Sequence, residues 1–387
     1  MNLRCSDAVL DATHGTIASF PNDFFGYFGW PTVTRLPDGV LLAAASGLRN
    51  EHPCPFGRSV VLRSTDDGAT WTGPTVAHDS PLDDRDTGII WVDGSTVLLS
   101  WFSIDNRRIA EALMDKRLGG DRGARALWRA GFARMTDDNA SRWVGSWVRL
   151  SSDFGESWGD PIRVPVTAPH GPIRLASGEL LYFGKEFLTD MAGFKAGIGG
   201  IVAVRSADGG RTWERLGSVP LIPGTQEGSY HEPHVAQLAD GKLVGLIRLE
   251  DAPAGPRLEQ IGHVHFSLVH TESTDGGRTW SPAVPLAFHG SPPHLLAHSS
   301  GALVAVYGRR LEPFGQRVMI SGDGGASWDY DLTLRDDGPD DDLGYPSSVE
   351  LADGSIFTAY YQKPGAPTDK CAFLWSRWRL PRLPALR

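Results

Sequence analysis

Six times along this chain an apolar run turns back, through a few polar residues rich in Asp-Gly or Ser-Gly, into a second apolar run. The stretches are WPTVTRLPDGVLLAAA from Trp30, RDTGIIWVDGSTVLLSW from Arg85, HGPIRLASGELLYFG from His170, EPHVAQLADGKLVGLIR from Glu232, PPHLLAHSSGALVAVYG from Pro292 and YPSSVELADGSIFTAYY from Tyr345. Short glycine turns between apolar runs predict antiparallel hairpins. One segment breaks the rhythm. Between Trp101 and Trp143 the chain is rich in Ala, Leu, Arg and Glu with little β-branching, which predicts a partly helical insertion over about 104–141.

An octapeptide, Ser-x-Asp-x-Gly-x-x-Trp, follows five of the six hairpins: Ser64 to Trp71, Ser151 to Trp158, Ser206 to Trp213, Ser273 to Trp280 and Ser321 to Trp328. Its Asp is suited to accept backbone N–H bonds across a tight turn, its Gly to take a positive φ, and its Trp to cover the neighbouring sheet. Repeats of this length with several strands each predict propeller blades. The expectation is therefore all-β: a single six-bladed β-propeller domain spanning 1–387, with the insertion in blade two. The last unit lacks an octapeptide, so the stretch before Trp30 must supply the outer strand that closes the ring. The insertion is open to three readings: a lid over the channel mouth, a contact between copies of the chain, or a solvated excursion.

Composition narrows the partners. The net charge is −9, without a run of Lys or Arg, which argues against a nucleic-acid surface. No segment has signal-peptide or membrane-span character, so a cytoplasmic protein with no membrane partner is expected. Cys5, Cys54 and Cys371 lack disulfide-framework or zinc spacing, and neither metal nor cofactor is expected.

Propellers gather ligands where their innermost strands begin. Those starts carry Trp30, the run Asp83-Asp84-Arg85-Asp86, His170, His231 with Glu232, His294 and Tyr345. Convergent acids, bases and guanidinium groups in one funnel suggest a site for an anionic, sugar-like ligand. The histidines lack metal-site spacing and suit hydroxyl binding or proton transfer better.

With these motifs the chain resembles the sialidase family. Glu232-Pro233 and Arg248 sit like that family's Glu-Pro strand and the Arg closing the same hairpin, and Tyr345 sits like its catalytic tyrosine. The resemblance implies a glycoside hydrolase whose nucleophile is Tyr345, activated by Glu232, because a carboxylate nucleophile would be repelled by a substrate carboxylate. It also implies that Arg248, with Arg310 or Arg317, clamps that carboxylate. Two family features are missing. The place of the first-blade Arg is taken by Gly29, and the loop expected to hold an acid/base Asp offers Arg49, Glu51 and His52. Arg85 is then the replacement guanidinium, and Asp84 or Asp86 the replacement proton donor, with Glu51 and His52 as alternatives. Arg49, Lys185, His52, His170, His231 and His294 complete the expected sugar contacts.

Two other functions compete with hydrolysis of a terminal acidic sugar. A polysaccharide lyase would neutralise a uronate carboxylate with Arg248 and Arg85 and abstract the adjacent proton with Tyr345 or a channel histidine. A glycan-binding propeller would need no catalytic groups at all.

Overall fold

Each octapeptide folds as its residues require. In the computed structural model, which describes residues 1–188, 197–253 and 255–381, the Ser64 hydroxyl donates to Asp66 and accepts the Gly68 N–H at 2.9 Å. Asp66 in turn accepts the Thr70 N–H at 2.8 Å and the Thr70 hydroxyl at 2.6 Å. These bonds, Thr70 first, hold its carboxyl down at about 2. Gly68 has φ 88°, and a Cβ there would meet the Phe357 ring at 2.2 Å. The same pattern recurs at Asp153, Asp208, Asp275 and Asp323.

Six antiparallel sheets form the blades of a six-bladed β-propeller. Their innermost strands are Tyr27–Arg35, Asp83–Asp93, Ile173–Arg174, Tyr230–Gln237, Pro293–Ala297 and Gly344–Glu350. The core lies between blades. Val92, Leu98 and Val148 of blade two pack on Leu180, Tyr182 and Val202 of blade three, and Phe183 stacks on Trp280 of the next octapeptide at 4.4 Å. Closure follows the expectation. Ala12–Ala18 pairs antiparallel with Ala372–Trp378 as the outer strand of blade six, and Phe357 and Phe373 pack with Val33, Ala43 and Val60 of blade one. One strand was not foreseen: Asn2–Cys5 adds in parallel to Ser327–Arg335 as a fifth strand of blade five.

The insertion is helical and packed. Its helices are α1 (Ala110–Leu118), α2 (Arg122–Ala133) and α3 (Asp137–Trp143). Asp121 caps α2 by accepting the Ala124 N–H, and Thr136 caps α3 by accepting the Asn139 N–H. Met114, Trp128 and Phe132 bury against Cys54, Phe56 and Leu82. The Trp128 indole donates to Asn50 at 2.7 Å. The insertion is therefore no solvated excursion, because it braces the blade-one loop that also carries His52. No helix among the described residues is long and apolar enough to cross a membrane.

Candidate active site

Four of the innermost strands open with the same local departure. Trp30 (φ 53°), Asp86 (53°), Glu232 (48°) and Tyr345 (49°) lie in the left-handed region. Each sits where the strand register slips, between Gly29 and Thr32, Arg85 and Gly88, His231 and His234, and Gly344 and Ser347. None is glycine, and such a conformation costs about 1–3 kcal/mol apiece. Bulges of this kind re-aim side chains. Asp86, Glu232 and Tyr345 all line one cavity of about 540 Å³ at the mouth of the ring. The Trp30 ring adjoins it, 6.3 Å from the Tyr345 ring and 4.3 Å from the Arg85 guanidinium.

Within the cavity the Tyr345 hydroxyl donates to Glu232 Oε1 at 2.5 Å. Arg248 Nη1 donates to Glu232 Oε2 at 2.5 Å and reaches the Tyr345 oxygen at 3.4 Å. Burial works against the Glu232 charge, but Arg248 and the phenol hold its carboxyl down at about 2. Burial and the Glu232 charge push the phenol well above its ordinary value. Asp86 behaves oppositely. Burial, with the Glu232 charge adding to it against the pull of Arg85, raises its carboxyl to about 7, and Oδ1 has no partner among the described residues. One carboxylate is thus ionised and the other carries a proton near neutral pH, the separation that acid–base chemistry needs.

Three guanidinium groups face the cavity: Arg85, Arg248 and Arg310. Arg310 donates to the Leu343 carbonyl at 2.9 Å and lies over the Tyr345 ring at 5.6 Å. His52 also lines the cavity. Its Nδ1 lies 3.1 Å from Asp342, which accepts the Tyr27 hydroxyl at 3.0 Å, so Nε2 is left towards Arg85 at 3.5 Å. His231 and Lys185 line the opposite wall, with Lys185 donating to the Tyr230 carbonyl at 2.5 Å.

Several expected contacts lie elsewhere. Arg49 is fully buried in an ion pair with Asp83 at 2.8 Å and donates to the Asp84 carbonyl. Arg317 donates to the carbonyls of Gln316 and Arg335 and pairs with Asp331 at 3.4 Å, away from the cavity. Asp84 is consumed by Ser80 and Ser103, whose donors satisfy it at 2.5–2.7 Å. Glu51 pairs with Lys370.

His170 and His294 leave the cavity for a different reason. Aligned on the turn glycines Gly39, Gly241, Gly301 and Gly354, the equivalents of Tyr345 are Trp30, Glu232 and Pro292, whereas His294 matches Thr32, His234 and Ser347. His294 therefore points down the channel, its ring 4.2 Å from His234 and 5.0 Å from His170. Backbone N–H groups of Leu295 and Ser348 donate to Nδ1 of His234 and His294, which places the proton of each neutral ring on Nε2 and leaves no lone pair there for a metal. Among the described residues no group of three His, Cys, Asp or Glu side chains is placed to hold a metal ion.

Glu250, which lines the cavity, and Asp342, which lies behind His52, both escaped the sequence reading. Glu250 accepts Arg248 Nη2 at 2.5 Å and meets His231 Nε2 at 3.1 Å; it follows Arg248 by one strand period and so shares its face. Asp342, in the acidic run before Tyr345, carries no local signal of its pairing with His52.

Residues 132–358 match the family model described as a BNR repeat-like domain. No curated protein matches the sequence. Among solved structures, a protein of unknown function from Dyadobacter fermentans superposes with a TM-score of 0.70 at 20% identity, over 95% of this chain and 98% of that one. The NanB sialidase of Streptococcus pneumoniae gives 0.64 at 13% identity, over 94% and 70%. The alpha-L-arabinanase of Penicillium chrysogenum gives 0.56 at 15%, over 94% and 97%. At these identities the likeness is one of fold: a sialidase-like propeller, distantly related.

Proposed function

Because this chain belongs to the BNR repeat-like domain family, we propose that its cavity is the active site of a glycoside hydrolase that removes a terminal sugar bearing a carboxylate. The observation that carries the reading is the contact of the Tyr345 hydroxyl with Glu232, with Arg248 on the far carboxylate oxygen. Glu232 takes the phenol proton as the oxygen attacks the anomeric carbon, and Asp86 gives its proton to the departing oxygen. Water then attacks the anomeric carbon and gives its proton to Asp86, now ionised, while the departing Tyr345 oxygen takes its proton back from Glu232. Phenol attack avoids the repulsion that a carboxylate nucleophile would meet, and the arginines receive the substrate's charge. A panel of chromogenic acidic and neutral glycosides tests this: release from acidic sugars alone, lost in Tyr345→Phe, is expected. Release unaffected by that substitution defeats the assignment.

A second reading draws on His52. Its Asp342-oriented ring beside Arg85 suits abstraction of a proton next to a uronate carboxylate, giving elimination in place of hydrolysis. The unsaturated product would absorb near the ultraviolet edge, and hydrolysis products would not.

A further inference from the structure

Arg248 differs from its two neighbouring guanidinium groups in what already holds it. Its Nη1 is bound to Glu232 and its Nη2 to Glu250, each at 2.5 Å. The Phe266 ring lies 4.3 Å from its central carbon. Both terminal amines already carry a carboxylate of the protein itself, so a ligand carboxylate gripping Arg248 bidentately would have to share an amine with Glu232 or Glu250. Glu250 is fixed in turn, since its other oxygen meets His231 Nε2 at 3.1 Å, and His231 Nδ1 lies 3.4 Å from Lys185. Arg85 and Arg310 contrast with this. Among the described residues neither has a carboxylate within ion-pair distance; their close polar partners are His52 for Arg85, and the Leu343 carbonyl and Tyr361 hydroxyl for Arg310.

We propose that Glu250 is the specificity-determining residue of the cavity: it occupies Arg248 in place of a ligand carboxylate, so that an acidic sugar is gripped by Arg85 and Arg310 alone. This rests on the glycosidase reading above and deepens it. Glu232 and Glu250 together outweigh the single charge of Arg248, so Arg248 draws no second anionic substituent and its two carboxylates present acceptors to sugar hydroxyls. The substrate class is then a sugar with one carboxylate on the Arg85 and Arg310 side and uncharged hydroxyls facing Glu250 and His231. Arg248 is left to hold Glu232 in register with Tyr345, and Glu250 acts through Arg248 as a positioning residue.

The test compares wild type, Glu250→Gln and Glu250→Asp by titration calorimetry with N-acetylneuraminic acid, D-glucuronic acid and the neutral methyl β-galactoside. Removing the charge should tighten binding of both acidic sugars about tenfold, leave the neutral sugar unchanged, and be reversed by Asp. Unchanged or weaker acidic-sugar binding in Glu250→Gln, or an equal gain for the neutral sugar, overturns the proposal. A second arm needs no sugar. Phenylglyoxal attacks free guanidinium groups, so peptide mass mapping should find Arg248 protected in wild type and in Glu250→Asp, and modified in Glu250→Gln. Equal modification in wild type and Glu250→Gln also overturns it. If no protein binds any of the sugars, the glycosidase reading fails, and the mapping alone decides whether Glu250 shields Arg248.

Discussion

Tyr345 and Glu232 stand 113 positions apart in sequence and share one hydrogen bond of 2.5 Å. Each is held there by a left-handed backbone at the start of its own innermost strand, φ 49° and 48°. Strain of the same kind in two separate blades thus places a phenol on a carboxylate, and the consequences are measurable.

Tyr345→Phe removes one hydroxyl and keeps the ring among Tyr27, Trp30 and Tyr361. Turnover of an acidic chromogenic glycoside should fall by about three orders of magnitude or more, as when a nucleophile is deleted. The lost hydrogen bond to an ionised carboxylate is worth about 1.5–3 kcal/mol, so calorimetric Tm should fall by only a few degrees.

If Asp86 is the proton donor proposed above, it should set the alkaline side of the pH profile. Its carboxyl is raised to about 7, chiefly by burial, and only the protonated form donates. Activity should therefore decline above pH about 7. Glu232, held at about 2, stays ionised throughout and adds no acid limb above pH 4. Asp86→Asn should remove the alkaline limb and lower kcat by about 10²–10⁴. Glycosides whose leaving groups need no proton should recover most of that loss.

The channel histidines tie stability to pH. Burial lowers His170 to about 3, and His234 and His294 well below the ordinary value. The unfolded chain, with imidazoles near 6.5, binds protons first as pH falls. Stability is then full above pH about 6.5 and drops below it, by about 1.4 kcal/mol per pH unit for each histidine, until the folded pKa is reached. Tm recorded from pH 7.5 to 5 should fall, and the fall should be shallower in His294→Gln. A Tm independent of pH over that range removes the claim that these rings are held neutral.

Gly68→Ala tests the turn chemistry. The positive φ disfavours any side chain, and the new Cβ would meet the Phe357 ring at 2.2 Å. A loss of more than about 1 kcal/mol is expected in urea unfolding, since strain and overpacking add. Gly354→Ala isolates the strain: φ is 72°, but nothing lies within 4 Å of the added Cβ. It should cost less.

What the sequence showed and what it hid divide along one line. Turn-forming residues act locally, so the octapeptides and the six hairpins could be read from spacing, and the helical insertion from its composition. Asp86, Glu232, Arg248 and Tyr345 were legible because they begin or end those hairpins. The face a side chain takes was harder to read. A register slip between His231 and His234 turns Glu232 to the cavity, whereas the strand carrying His294 pairs without one and its ring lies in the channel beside His170. Arg49, Arg317 and Asp84 have the right charge, but nearer partners capture them. Glu250 and Asp342 matter only through contacts with Arg248 and His52, and Asp342 meets His52 across 290 positions of chain.

The seam between Ala12–Ala18 and Ala372–Trp378 bears on how the molecule is made. A ribosome delivers one side of this zipper before any of the six innermost strands and the other after all of them. Until then, successive blades can stack on one another while the strand Ala12–Ala18 waits without its partner. Completion depends on a long-range pairing of the sort that slows folding. Once fastened, the seam turns an open row of blades into a circle.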